Sequence, residues 1–88
     1  MKIISIKISS HYAKTFDCLP QRAQRKAIEK IKVFQENPFD LSLRTHPLSG
    51  KEYKTWAFWI DFRYRIKFFF LSEREVLFLE AGTHSIYK

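Results

Sequence analysis

The side chains that could carry out chemistry in this 88-residue chain are basic groups and imidazoles in its C-terminal half. Histidine exchanges protons near neutral pH, and arginine and lysine bind phosphate oxygens. Such groups can cut RNA without a metal ion, because the 2′-hydroxyl is a nucleophile that already lies beside the phosphate. The protein need only remove that proton, stabilise the phosphate charge and protonate the leaving oxygen. The residues of these types are His46, Lys51, Lys54, Arg63, Arg65, Lys67 and His84.

Other kinds of chemistry have less support in the sequence. The three histidines, His11, His46 and His84, lie in three separate segments, and no two of them have the spacing of metal ligands. The nine acidic residues are scattered, which argues against a two-metal nuclease. The sequence also has no phosphate-binding glycine loop and no nucleophile motif. We therefore expect a site that uses no metal and no other cofactor.

The composition predicts one small, basic, folded domain. Hydrophobic residues make up 45% of the chain, with nine phenylalanines and a single cysteine, Cys18. A single cysteine cannot form an internal disulfide, and the position of Cys18 next to Leu19 favours a role as a small core residue. The net charge of +7 favours a polyanionic partner, namely nucleic acid, an acidic protein segment or a lipid surface. No signal peptide or membrane span is evident, so we expect a cytoplasmic protein with no membrane partner.

The N-terminal half is predicted to form a strand and two helices. The alternation of Ile4, Ile6 and Ile8 with polar residues indicates a half-buried strand. Ser9 or Ser10 can cap a short helix. Pro20 suits the first turn of a second helix, which ends at Asn37-Pro38. The apolar stripe of that helix contains Ala23, Ala27, Ile31 and Phe34, with a basic row, Arg22, Lys26 and Lys30, on the next face.

Three strands are predicted in the C-terminal half, in the segments "EYKTWAFWIDF", "YRIKFFFL" and "VLFLEAG". The first of them has an apolar face that we expect in the core, and Trp59 on the opposite face. An exposed tryptophan there would favour contact with a partner. The predicted fold is α+β, with the order β-α-α-β-β-β and a helical layer on a mainly antiparallel sheet. The residues of the predicted core face are Trp56, Phe58, Ile60 and Phe62.

Several segments in a fixed order carry a resemblance to a known family. "FDCLP", "RTHPLSG", "YRIKF" and "VLFLEAGTHSIYK" together resemble the RelE/ParE toxin superfamily, most closely the RelE- and YafQ-like ribosome-dependent mRNA interferases. The resemblance covers nearly the whole chain. It implies one compact RelE-like toxin domain over residues 1–88, the toxin of a type II toxin–antitoxin system. It also implies metal-independent cleavage of mRNA on the ribosome, a 2′,3′-cyclic phosphate product and a cognate antitoxin. DNA would be contacted only through the toxin–antitoxin complex.

The resemblance also implies roles for individual residues. Arg65 falls at the phosphate-binding arginine of RelE-like toxins, and Lys54 matches one lysine of the RelE catalytic pair. His84 and His46 match histidines of YafQ-like members, and we expect them to serve as acid and base in an order left open. Tyr87 lies near the C-terminal aromatic residue that stacks on a substrate base. The further candidates for substrate binding are Arg63, Lys51 and Lys67.

Two other functions stay open at this point. The second RelE lysine is replaced by Trp56, and Trp59 and Arg63 stand at the middle His/Asp pair of YafQ-like toxins. The chain could therefore be an inactive member that only binds its antitoxin. It could also be a ParE-like inhibitor of DNA gyrase, although its histidines argue against that role. The basic row of the second helix is interpreted as a solvated face that could also touch ribosomal RNA or an acidic antitoxin.

Overall fold

The computed structural model describes residues 2–48 and 54–87. A five-stranded sheet has the order β1-β5-β4-β3-β2, in which β1 and β5 are parallel and the other neighbours antiparallel. The predicted α+β class, element order and mainly antiparallel sheet are confirmed, while the short strand β2 was not predicted. The elements are β1 (Ser5–Ile8), α1 (Ser10–Asp17), α2 (Gln21–Glu36), β2 (His46–Pro47), β3 (Thr55–Trp59), β4 (Arg65–Ser72) and β5 (Glu75–Gly82), with 3₁₀ helices at Leu41–Leu43 and His84–Tyr87.

Helix α1 holds the C-terminal half of β5 in place. Its cap is Ser9, whose hydroxyl accepts a hydrogen bond from the Tyr12 N–H at 2.9 Å and donates to the Leu79 carbonyl at 3.1 Å. One helical turn further, the Thr15 hydroxyl accepts from the Ala81 N–H at 3.0 Å. These bonds satisfy the edge of β5 beyond the end of β1, where unpaired backbone groups would otherwise remain. The strand that leads to His84 is thereby tied to the helical layer.

The core lies between the two helices and one face of the sheet. From α2, Ala23, Ala27 and Phe34 are buried, as their spacing predicts. The Phe34 ring stacks on Phe58 of β3 with centroids 4.7 Å apart and meets Phe68 of β4 edge-on at 5.0 Å. Small residues on α2 allow the helix to approach the sheet closely, and the aromatic cluster fills the remaining space. No helix in the described ranges is long and apolar enough to cross a membrane.

One part of the predicted core face is wrong. Phe62 is 85% exposed, because β3 ends at Trp59 and the chain then turns back toward β4. The Asp61 carboxylate builds this turn by accepting the N–H groups of Arg63 and Tyr64 at 2.8 and 2.9 Å. The alternation therefore stops before Phe62, and residues Asp61, Arg63 and Tyr64 of the turn line a cleft against the first turns of α2.

Two expectations for the N-terminal half are also corrected. Cys18 is exposed, because α1 ends at Asp17 and the cysteine is its C-cap, whereas Leu19 is buried in its place. Ile4 and Ile8 are exposed on the edge strand, and the burial at this edge comes from Ile3 and partly from Ile6. The edge position of β1 explains the second difference, because helix cover does not extend across its whole length.

The sheet face opposite the helices is covered by the C-terminal 3₁₀ helix, residues His84–Tyr87. Ile66 and Phe68 of β4 point into the helix-side core, so Arg65 and Lys67 point to this second face. Both are buried, and the Lys67 ammonium reaches the Ile86 carbonyl. Basic side chains are thus enclosed directly beneath the segment that carries His84.

Candidate active site

Two histidines from distant parts of the chain contact one tyrosine. His46 lies in β2, and His84 and Tyr87 are the first and last residues of the C-terminal 3₁₀ helix. The Tyr87 ring centroid lies 5.6 Å from that of His46 and 5.2 Å from that of His84, and both contacts are edge-on. His84 is exposed, whereas His46 and Tyr87 are half-buried. The structure thus brings together three of the residues that the sequence singled out, which we call the His–Tyr cluster.

The proton position on His46 follows from its hydrogen bond. Its Nδ1 lies 2.8 Å from the backbone carbonyl oxygen of Arg44. Because a carbonyl only accepts, Nδ1 carries the hydrogen, and the neutral ring presents Nε2 as a proton acceptor. Arg44 has left-handed backbone angles, φ 50° and ψ 39°, which cost a non-glycine residue about 1–2 kcal/mol. This strained residue ends the 3₁₀ helix at Leu41–Leu43 and supplies the carbonyl that orients His46.

Arg65 lies beneath the surface of the site. It is 1% exposed, and its guanidinium packs 3.9 Å from the ring centroid of Trp59. Its Nη1 donates to the carbonyls of Asp61 and Phe62 at 2.8 Å each, which fastens the turn at residues 60–64. A phosphate can touch this guanidinium only after the covering side chains move. In the described conformation Arg65 contributes its charge and holds the turn.

Arg44 is a functional candidate that the sequence reasoning missed. Its guanidinium lies 4.6 Å from the Trp59 ring centroid, so the indole packs against both Arg44 and Arg65. The contact with the exposed Arg44 stabilises the pair by about 0.5–1 kcal/mol. Trp59 is half-buried by this packing, so its place on this face of the sheet is explained by the two arginines and needs no partner protein. The available signal was the segment "RTH", in which Arg44 directly precedes Thr45 and the candidate base.

Tyr87 shields the buried charge. Burial of its hydroxyl raises the pKa of Tyr87, and the nearby positive charge of Arg65 offsets part of this shift. Within the described residues, neither the Tyr87 hydroxyl nor Arg65 Nε makes an aligned hydrogen bond. The phenol therefore stays neutral at physiological pH. A neutral ring between two imidazoles suits packing against a base better than proton transfer.

Lys67 lies buried beneath the C-terminal 3₁₀ helix, and its predicted substrate contact remains a prediction. The residue is 8% exposed, and its Nζ donates to the Ile86 carbonyl at 3.2 Å. The same nitrogen forms an ion pair with Glu80 at 3.4 Å, and the other Glu80 oxygen lies 3.2 Å from His11 Nε2. A chain of charged contacts thus runs from α1 through β5 and β4 to the C-terminal 3₁₀ helix. Lys67 positions that helix from below.

Gly82 allows the C-terminal 3₁₀ helix to close onto the sheet. A Cβ atom at this position would stand 2.7 Å from Cγ2 of Ile86, a distance that real contacts do not reach. Gly82 is the β5 partner of Arg65, so the close approach occurs directly beside the buried guanidinium. Gly82 therefore allows the chain to pass from the apolar strand β5 into the segment "THSIY" and to pack that segment against the sheet.

We expect Gly82→Ala to displace the C-terminal 3₁₀ helix. The added methyl group overpacks the contact with Ile86, which should lower the free energy of unfolding by about 1–3 kcal/mol. Urea unfolding monitored by tryptophan fluorescence measures this change, with Ser85→Ala as the control because Ser85 is an exposed neighbour. Equal stability of the two variants would show that Ile86 is not packed as described.

Two further predicted site residues, Lys54 and Arg63, lie outside the His–Tyr cluster. Lys54 is exposed and has a φ angle of 61°. It lies three residues before Ala57, the pairing partner of His46, which corresponds to about 10 Å along an extended chain. Arg63 is exposed in the turn at residues 60–64 and lines a separate cleft. Lys51 lies outside the described residues, so its predicted role remains a prediction.

The sheet order, the paired helices on one face and the C-terminal segment over the other define the fold of the RelE/ParE toxins. The M. tuberculosis RelBE2 toxin–antitoxin complex has a TM-score of 0.78 at 16% identity, over 97% of this chain and 95% of that chain. The E. coli DinJ–YafQ complex has a TM-score of 0.74 at 19% identity, over 98% and 97%. The YoeB/ParE toxin from Agrobacterium tumefaciens has a TM-score of 0.76 at 15% identity, over 92% and 99%. The predicted RelE-like architecture is thus confirmed.

Comparisons at the level of sequence add nothing to this likeness. No family model matches the chain, and no curated protein matches it significantly. The structural neighbours are toxins, several of them solved with their antitoxins, and they are similar to this chain in fold. Similarity in fold leaves the activity to the residues of this chain.

Proposed function

We propose that this chain is the cytoplasmic toxin of a type II toxin–antitoxin system and that it inhibits translation by cutting mRNA on the ribosome. The observation that carries the proposal is the His–Tyr cluster, two proton-transfer groups on one phenol ring above a buried arginine. The toxin fold of the structural neighbours supports it. A gyrase inhibitor acts by protein binding and has no use for such a cluster.

The proposed reaction needs one base and one acid. His46 Nε2 removes the proton of the 2′-hydroxyl, and O2′ attacks the adjacent phosphorus. The P–O5′ bond breaks while the His84 imidazolium donates its proton to O5′. The products are a 2′,3′-cyclic phosphate and a 5′-hydroxyl end. The hydrogen bond from His46 Nδ1 to the Arg44 carbonyl selects His46 as the base, which leaves the acid role to His84.

Charge stabilisation at the phosphate comes from two arginines in different ways. The exposed Arg44 guanidinium contacts a phosphate oxygen directly, since Arg44 lies at the surface and its own carbonyl holds His46. The buried Arg65 acts through its charge and by holding Trp59 and the turn. Tyr87 stacks on a base of the substrate, and Lys54 contacts the RNA backbone beyond the cluster. In this proposal Arg44 takes the direct contact that the sequence predicted for Arg65.

We expect Arg44→Ala to lower the rate of cleavage by about 10–100-fold, because it removes the exposed charge from the phosphate. Arg44→Lys should recover only part of this activity, since an ammonium cannot reproduce the planar guanidinium contact with Trp59. Cleavage rates on programmed ribosomes measure both effects. Arg25→Ala is the control, an exposed arginine on α2. Equal rates for Arg44→Ala and this control would remove Arg44 from the site.

The proposed partner is a cognate antitoxin, because several structural neighbours are toxin–antitoxin complexes. The experiment for the activity is primer extension on a reporter mRNA after brief expression of the wild-type chain and of His84→Ala, with translation on and off. Cuts that require both His84 and translating ribosomes support the proposal. Growth arrest with intact mRNA and damaged DNA would favour gyrase instead.

A further inference from the structure

A second basic site lies at the turn of residues 60–64, which Arg65 fastens from below. A cavity of about 450 Å³, open to solvent, separates the first turns of α2 from the turn at residues 60–64. Cationic side chains from both elements line it, together with the half-buried ring of Tyr64. We call it the α2 cleft. Its cationic residues are Arg22, Lys26 and Arg63.

The α2 cleft brings three positive charges together, and one of them, Arg63, lies 6.0 Å from the centroid of the Tyr64 ring. Arg22 and Lys26 stand one helical turn apart, and like charges at this spacing destabilise a helix by a few tenths of a kcal/mol. The N-terminus of α2 has no side-chain cap and no acidic residue in its first turn, so its positive end is not neutralised. The one carboxylate in the lining, Asp61, already accepts two backbone N–H groups of the turn. An anionic ligand in the cleft would offset both the repulsion between Arg22 and Lys26 and the positive end of α2.

The shape and lining of the α2 cleft favour a nucleic-acid backbone over an acidic peptide. Peptides usually dock through large apolar anchors, but the apolar lining here consists of Pro20 and Ala23. The large exposed apolar residues lie elsewhere, for example Leu41 and Leu71. The volume exceeds that of a single carboxylate, and the Tyr64 ring, which has the Arg63 guanidinium 6.0 Å from its centroid, adds an aromatic group beside the cations. Arginine forks suit phosphate oxygens in particular.

We propose that the α2 cleft is a phosphate-binding subsite for single-stranded RNA, separate from the His–Tyr cluster. It rests on the proposed function in that RNA is the partner of this chain. Arg22, Lys26 and Arg63 bind backbone phosphates there without reading sequence. Lys30, which the sequence grouped with Arg22 and Lys26, does not line the cleft and takes no part in it.

The test measures binding to RNA that cannot be cut. The probe is a short fluorescein-labelled single-stranded RNA with methylated 2′-hydroxyls, followed by anisotropy at several salt concentrations. The cleft variant combines Arg22→Ala and Lys26→Ala. The control combines Arg25→Ala and Lys32→Ala, which removes the same charge from exposed positions of the same helix outside the cleft lining.

We expect the cleft variant to bind about tenfold more weakly at low salt than the control. The slope of log K against log salt should fall by about 0.7 for each phosphate that the variant no longer binds. Arg63→Ala should act in the same direction, because it removes the third cation from the other wall. Equal effects of the cleft and control variants would mean that only net charge matters, which overturns the proposal. Weaker binding to a fluorescent polyglutamate peptide with unchanged RNA binding would also overturn it.

A parallel cleavage assay separates this proposal from the proposed function. Normal RNA binding by the cleft variant, with cleavage that depends on His84, would reject the subsite and leave the function intact. Weakened RNA binding by the cleft variant, with no cleavage by the wild-type chain, would retain the subsite and reject the nuclease. Urea unfolding of each variant confirms that the compared proteins are folded.

Discussion

His84→Ala is expected to abolish growth arrest and to reduce mRNA cleavage by about 10²–10⁴-fold, the usual contribution of a positioned acid or base. Because His84 is exposed, its removal should change the free energy of unfolding by no more than about 0.5 kcal/mol. Single-turnover cleavage on programmed ribosomes and urea unfolding measure the two quantities. Ser85→Ala, the next exposed residue, should behave as the wild-type chain. A fully toxic His84→Ala variant would refute the proposed mechanism.

The division of roles between the two histidines can be tested with a modified substrate. If sulfur replaces the 5′-oxygen at the cut site, the leaving thiolate departs without protonation. The reaction then no longer needs an acid but still needs a base. We expect His84→Ala to recover most of its activity on this substrate, whereas His46→Ala should remain impaired. The opposite pattern would exchange the two roles and contradict the tautomer that the Arg44 carbonyl imposes on His46.

Lys67→Met is expected to lower both the free energy of unfolding and the cleavage rate. It removes the bond to the Ile86 carbonyl and leaves Glu80 without its buried partner. Breaking a buried pair costs about 3–5 kcal/mol, and the partial exposure of Glu80 should reduce this to about 2–3 kcal/mol. The C-terminal 3₁₀ helix should loosen, and the cleavage rate should fall by about tenfold. Urea unfolding and the ring NMR signals of His84 and Tyr87 measure these changes.

A double variant distinguishes a positioning role for Lys67 from direct substrate binding. Lys67→Met with Glu80→Gln should recover part of the stability, because the carboxylate that has lost Lys67 and keeps only its contact with His11 is gone. RNA affinity should be the same in the single and double variants and close to that of the wild-type chain. A Lys67→Met protein of normal stability that binds RNA more weakly would instead restore the substrate contact that the sequence predicted.

Most of the fold could be predicted from local patterns. The stripe of Ala23, Ala27 and Phe34 has helical spacing because one side of α2 packs on the sheet. Ser9 is a cap in the structure as in the prediction, because its hydroxyl and the first N–H groups of a helix are neighbours in the chain. The alternation in β4 and β5 marks strands for the same kind of reason. Each of these features depends on residues within one or two turns of each other.

The errors lie where an element ends or meets a distant segment. Phe62 continues the alternation of β3 in the sequence. A turn stabilised by Asp61 begins before Phe62, however, and leaves its side chain exposed to solvent. The burial of Lys67 was not predicted, because it depends on the C-terminal 3₁₀ helix that covers its face. Cys18 lies beside a buried leucine but caps a helix end. Local periodicity cannot show which segment covers a face or where hydrogen bonding stops.

The sequence by itself determined the α+β class, the basic character of the chain and the residue types that can move protons and hold phosphate, since these follow from composition and short-range spacing. Only the tertiary structure decided which of them meet. His46 and His84 contact one phenol because the strand order brings β2 and the end of β5 to the same face, and Gly82 lets Ile86 close down beside Arg65. Those contacts join residues far apart in the chain, and their geometry depends on register and packing across the whole sheet.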